Sequence, residues 1–114
     1  MRITSEFFVA ALIRRVFAAG DFAAIERKGA AEAGAIFIRQ RLRNGLETVY
    51  GPAPQALSDA AAMTDGRQFE TRLRASEAQE AADLIDREHR FDADLWVVEI
   101  ETDSVNGLLS LVDP

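Results

Sequence analysis

Arg39, Arg41 and Arg43 alternate with Gln40 and Leu42 just ahead of an Asn44-Gly45 pair, with Phe37 and Tyr50 on either side. In an extended strand, side chains two apart share a face. Three guanidiniums beside two rings would suit a phosphate or RNA ligand, with cations for the backbone and rings for stacking on bases. A second set of reactive groups is carboxylic: Glu26, Glu32, Glu99 and Glu101. Such groups act as acid and base only where a shared cleft drives their pKa values apart. A simpler reading joins the two sets, because glutamates on neighbouring strands, Glu99, Glu101 and Glu70 among them, would neutralise the arginine row by cross-strand pairing. The acidic balance of the chain favours pairing. As ligand-binding residues the sequence puts forward Arg39, Arg41, Tyr50, Glu32 and Glu99, and it identifies no catalytic residue.

Other chemistries have less behind them. Gly29 and Gly34 bracket a short connector that has the spacing of a phosphate loop. However, Ala35 and Ile36 stand where the lysine and hydroxyl should be, and a strand follows instead of a helix. A turn is the better reading. The single His89 and the absence of cysteine leave only oxygen ligands, and Asp83, Asp86, Asp92 and Asp94 do not have calcium-loop spacing, so no metal site and no cofactor is expected. His89 near a helix end suits the dipole there. None of Ser5, Ser58, Ser76, Ser104 or Ser110 sits in a nucleophile-elbow motif.

A net charge of −6 over 114 residues argues against a general nucleic-acid or anionic-membrane binder. The charge is unevenly placed: residues 1–50 carry eight basic and five acidic side chains, and residues 51–114 carry five and fourteen. The halves therefore attract each other, within one chain or across a subunit interface. The apolar run Phe7 to Phe17 is broken by Arg14 and Arg15 and is too short to span a bilayer. Without cysteines the chain fits a reducing compartment, and the cytoplasm is the expected location.

The elements that must position these groups follow from periodicity. Thr4 or Ser5 with Glu6 starts a helix that runs to about Ala19, with Val9, Leu12, Ile13, Val16 and Phe17 as its apolar stripe and Gly20 as its terminator. Asp21 to Gly29 reads as a first strand closing onto a second. Gly34 to Pro54 reads as a hairpin with a two-residue turn at Asn44-Gly45. That register sets Arg39 opposite Tyr50 and Arg41 opposite Thr48, placing Ile36, Ile38, Leu42 and Val49 on a core face and the arginines with Tyr50 on a wet one. Residues 52–66 read as a mobile loop and Gln68 to Arg74 as a half-buried strand. A capping box at Ser76-Glu-Ala-Gln79 opens a second helix with a stripe of Ala78, Ala81, Ala82 and Ile85, and with Asp83–Arg87 and Asp86–Arg90 pairs outside. Leu95 to Glu101 is the strongest strand, and the Leu108 to Val112 tail docks as a short helix. The prediction is one α+β domain over 1–114: a mostly antiparallel sheet of about five strands with two main helices on one face, in the order helix–strand–strand–strand–strand–helix–strand.

The Arg14-Arg15 helix, Glu26-Arg-Lys-Gly-Ala-Ala-Glu-Ala-Gly-Ala-Ile-Phe-Ile-Arg39, Gly51-Pro-Ala-Pro54 and Asp94-Leu-Trp-Val-Val-Glu-Ile-Glu101 together resemble the alphaproteobacterial family catalogued as domain of unknown function 1491. The resemblance covers nearly the whole chain. It implies a small bacterial protein without an assigned activity, and it directs attention to the Gly29–Gly34 connector, Arg39 and the Gly51–Pro54 turn. The functional expectation is a non-catalytic protein-interaction or small-ligand-binding domain, as a homodimer or with a protein partner, since apolar residues such as Phe7, Phe8, Leu95 and Val97 exceed what one layer of helices covers. The alternatives are an enzyme or phosphate-ligand binder using the arginine row and, behind it, RNA binding.

Overall fold

The computed structural model describes residues 3–54 and 67–112; most of the predicted 52–66 loop lies outside the described residues. Helix α1 spans Ser5–Ala18. Strands β1 (Phe22–Arg27), β2 (Ile36–Arg41), β3 (Glu47–Pro52) and β4 (Gln68–Ser76) follow, then α2 (Ala78–Phe91), β5 (Trp96–Glu101) and the two-residue β6 (Ser110–Leu111). The α+β class and the element order agree with the sequence reading. The sheet has six strands in the order β1-β5-β2-β3-β4-β6. It is mixed: β1–β5, β2–β3 and β3–β4 are antiparallel, while β2–β5 and β4–β6 are parallel.

Three expectations need correction. First, β1 does not close onto β2, because β5 lies between them. Only a strand buried on both faces suits that place, and Trp96, Val97, Val98 and Ile100 are all buried. Second, the two helices take opposite faces. Val9, Leu12 and Val16 of α1 pack with Ile36, Ile38, Trp96, Val98 and Ile100. Ala81 and Ile85 of α2 pack with Phe37, Val49, Leu95 and Val97. Of the apolar residues that looked surplus, Leu95 and Val97 belong to a second core beneath the alanine stripe, Phe8 packs against the first core, and Phe7 is exposed. Phe17, placed on the α1 stripe by spacing, is 52% exposed.

Third, the hairpin register is shifted by one. Asn44-Gly45 forms part of a three-residue loop in which the Gly45 amide donates to the Leu42 carbonyl at 2.9 Å and the Leu42 amide to the Leu46 carbonyl at 2.9 Å. Gly45 takes the left-handed φ of 89° that such a loop requires. Consequently Ile38 faces Tyr50, Arg39 faces Val49 and Arg41 faces Glu47. Because side chains alternate, this slip moves Tyr50 to the α1 face and Val49 to the α2 face.

Smaller details differ too. Thr4 caps α1, its hydroxyl accepting from the Phe7 amide at 3.1 Å, and Gly20 ends the helix at φ 87° as expected. The Ser76 capping box does not form. Strand β4 runs on to Ser76, Ala75 adopts a positive φ of 42°, Glu77 is the cap residue, and Gln79 bonds Asp83 instead. Neither Asp83–Arg87 nor Asp86–Arg90 is among the ion pairs of the described residues. The tail docks as strand β6 rather than as a helix.

The connector after β1 is a structural joint. Its Ala31 and Glu32 carbonyls accept from the Glu6 and Ser5 amides at 2.9 and 3.0 Å, satisfying N-terminal helix donors that have no partner within the helix. Buried Ser5 donates its hydroxyl to the Gly34 carbonyl at 2.6 Å. A Cβ on Gly29 would lie 2.2 Å from the Asp94 carbonyl oxygen, and one on Gly34 2.5 Å from it. Both glycines are therefore fixed by close backbone packing against the start of β5. The Ala30 amide donates to Asp94 and the Gly34 amide to Ala30, so neither faces a phosphate.

Candidate functional site

On the α2 face, beyond the helix, a row of charges crosses four strands. Glu26 comes onto this face by alternation from Ala24, which lies opposite Glu99, and a β-bulge between Ile25 and Arg27 follows it. Both Glu26 oxygens accept from Arg39 Nη1 at 3.0 Å. On its other side Arg39 donates from Nε to Glu47 Oε1 at 2.9 Å, and its Nη2 lies 2.8 Å from the same oxygen. Arg41 Nη2 donates to Glu47 Oε2 at 3.3 Å. Glu47 is 1% exposed, a carboxylate removed from water and held by two guanidiniums. Burial alone would lower the Arg39 pKa, but the hydrogen bond from Arg39 to Glu47, with the charges of Glu26 and Glu47, raises it above the ordinary guanidinium value. Arg39 is therefore a fixed cation throughout the neutral range.

The arginine row is paired, but by Glu26 and Glu47 rather than by Glu99, Glu101 or Glu70. Glu99 lies next to Arg39 in the β2–β5 register without an ion pair among the described residues. Arg43, 92% exposed, makes a 3.7 Å contact with Asp103. Tyr50 is not part of this surface: it is buried on the opposite face and donates to Gln40 Oε1 at 2.7 Å. Glu32 is on the connector, exposed, with its backbone carbonyl committed to α1. Of the five proposed ligand-binding residues the structure thus brings together Arg39, Arg41 and Glu99, and separates Tyr50 and Glu32. Glu47 was overlooked, because a glutamate just after a turn gives no sign in sequence that it is buried.

Cavities lie both by the arginine row and by the connector. One, of about 330 Å³, lies beside the hairpin tip, where Arg41 and Arg43 are opposed by Asp21, Glu101 and Asp103. This mixture of signs does not select an anion. The other, of about 260 Å³, lies where the connector (Ala33, Ala35) meets Pro52, Ala53, Phe69 and Asp92. The connector and the Gly51–Pro54 turn do converge, at a distance in the fold from the Arg39 row. Nearby, Arg72 stacks 5.4 Å from the Phe37 ring centroid, lies off the hydrogen-bond axis 2.8 Å from Glu70, and reaches Glu88 and the Pro52 carbonyl. A Cβ on Gly51 would meet both Phe37 and Arg72 within 3 Å, so this glycine is also explained by packing. No cluster of histidine and carboxylate ligands suited to a metal occurs among the described residues.

The large apolar side chains exposed among the described residues are Phe7, Phe17, Phe22, Ile25, Phe91 and Val112, and three of them lie at the α1–β1 flank. Phe17, at the end of α1, stands edge-on to Phe22 of β1 with centroids 5.9 Å apart. Phe17, Phe22 and Ile25 are 52%, 45% and 46% exposed along the free edge of the sheet. No helix among the described residues is long and apolar enough to cross a membrane.

One family model, described as "Protein of unknown function (DUF1491)", matches residues 3–110. The fold is similar to the solution structure of protein Atu0922 from A. tumefaciens, with 63% identity and a TM-score of 0.88, covering 100% of this chain and 98% of that one. It is also similar to the crystal structure of a DUF1491 family protein from Caulobacter crescentus CB15, at 29% identity and a TM-score of 0.78, covering 97% and 99%. An NMR structure of a DUF1491 family protein from that bacterium gives 30% identity and 0.78, covering 97% of each chain. A comparison with curated proteins found no match.

Proposed function

The chain belongs to the DUF1491 family of proteins of unknown function, and we propose that it is a non-catalytic, cytoplasmic protein-interaction domain whose recognition surface is the α1–β1 flank. The observation that carries this is the exposed Phe17–Phe22 ring pair with Ile25 beside an unpaired strand edge. An edge strand displays free backbone donors and acceptors, and exposed apolar side chains beside it give a partner strand something to bury. The charged row weighs the other way for an enzyme or phosphate binder. Arg39 is held on both sides and only 13% exposed, so an anion would first have to displace Glu26 or Glu47. An RNA platform meets the same obstacle, with Tyr50 on the wrong face.

The test is photo-crosslinking in cells that make the protein, with a photoreactive residue at position 22 or, as control, at position 43 on the hairpin tip. A covalent adduct of protein mass from position 22 and none from position 43 is the expected result. Absence of any protein adduct at position 22 would overturn the proposal.

A further inference from the structure

Among the described residues, β6 covers Gln68 and Phe69 of β4 at one side of the sheet, whereas strand β1 at the other side is open along its whole outer edge. Its two ends carry opposite charges that the chain itself leaves unused: among the described residues, neither Asp21 nor Arg27 has an ion pair. The carboxylate between them, Glu26, is turned inward to Arg39. What faces outward is apolar in the first half, Phe22 to Ile25, and basic at the end, Arg27 and Lys28.

Resting on the interaction reading above, we infer that the partner is a second copy of this chain, joined edge to edge through β1 in an antiparallel pair centred on Ala24. A two-fold axis relating antiparallel edge strands stands perpendicular to the sheet, so residues opposite each other must share a face. Centring on Ala24 satisfies this, setting Ile25 of each chain against Ala23 of the other, large against small, on the α1 face. Beyond the ladder, the basic Arg27 end of each strand also comes near the acidic Asp21 end of the other, so opposite charges approach each other twice. The bulge at Glu26 limits the ladder to the apolar half of the strand. Both α1 helices then lie on the same side of one continuous sheet, with the Phe17–Phe22 ring pairs flanking the axis.

The chain has no cysteine, so a single introduced thiol reports on geometry. In either kind of antiparallel pair, Cα atoms of facing residues are about 4.5 or 5.5 Å apart, within reach of a disulfide. Under mild oxidation, purified Ala24→Cys is expected to form a covalent dimer about tenfold or more faster than an Asn106→Cys control. Native mass spectrometry at high micromolar concentration is expected to show the wild type as a dimer and Ile25→Lys as a monomer with an unchanged circular dichroism spectrum. A monomeric wild type, linking of Ala24→Cys no faster than the control, or a persisting Ile25→Lys dimer would each overturn self-pairing. If position 22 captures a different protein while the wild type is monomeric, the interaction reading stands and the self-pairing falls.

Discussion

Replacing Glu47 by glutamine keeps its shape and removes its charge, leaving Arg39 and Arg41 facing an amide. The Glu47 side chain is 2% exposed, while its partners differ: Arg39 is 13% exposed and Arg41 46%. The Arg41 contact, long and half in water, belongs with surface pairs of about 0–1 kcal/mol. The Arg39 contact is shorter and largely dry. Breaking a buried pair costs about 3–5 kcal/mol, most of it for the charge left behind. Arg39 keeps Glu26, which lowers that figure, and we expect Glu47→Gln to cost about 2–3 kcal/mol. With an unfolding entropy of about 2.1 cal/mol/K per residue, that lowers Tm by about 8–12 °C. Thermal and urea unfolding followed by circular dichroism would measure it. A double-mutant cycle with Arg39→Gln should give a coupling of about 1–2 kcal/mol. Glu99→Gln, which removes a carboxylate with no ion pair among the described residues, should stay within about 0.5 kcal/mol of the wild type. If Glu47→Gln is no more costly than Glu99→Gln, or the cycle is additive, the buried network does not contribute as argued.

Gly29→Ala drives a Cβ into the Asp94 and Leu95 backbone and should destabilise by about 3 kcal/mol or more. Gly45→Ala, with nothing within 4 Å of its Cβ and a φ of 89°, should cost only about 1–2 kcal/mol; equal shifts in chemical denaturation would refute the packing account. Tyr50→Phe removes the buried bond to Gln40, which itself donates to the Thr102 carbonyl, and should cost about 1–2 kcal/mol in the same assay, whereas a surface ligand-binding tyrosine would cost almost nothing.

Element identity was legible wherever local chemistry decides it: Thr4 and Gly20 as the ends of α1, the alternation of Trp96, Val98 and Ile100, and the hairpin around Gly45. What failed was non-local or hung on one residue. Asn44-Gly45 fits a two-residue loop and a three-residue loop equally well in sequence, yet the choice decides whether Tyr50 sits beside Arg39 or behind it. The order of strands across the sheet depends on pairing between distant segments, and nothing local places β5 between β1 and β2. The two-sided core had a signal that was read differently: Phe37, Leu95 and Val97 share a face that needs covering, and the small residues Ala81 and Ala82 allow a helix to approach it. Glu47 shows the limit of reading the site. Its burial comes from Arg39 and Arg41 crossing over it, a consequence of a register that the sequence left ambiguous.

The central place of β5 has a consequence for how the chain is made. The strand that joins β1 to the rest of the sheet comes more than half the chain after β1 and only after β4 and α2, so a growing polypeptide that has not reached Asp94 holds β1 on one side and the β2–β3–β4 meander on the other with no ladder between. Two open edges wait at the same time, and closing them needs one antiparallel and one parallel pairing made over a long loop, the slow kind of contact. During synthesis, then, the edges of β1 and β2 that face the gap are the parts of this protein most exposed to chaperones and to pairing with neighbouring chains.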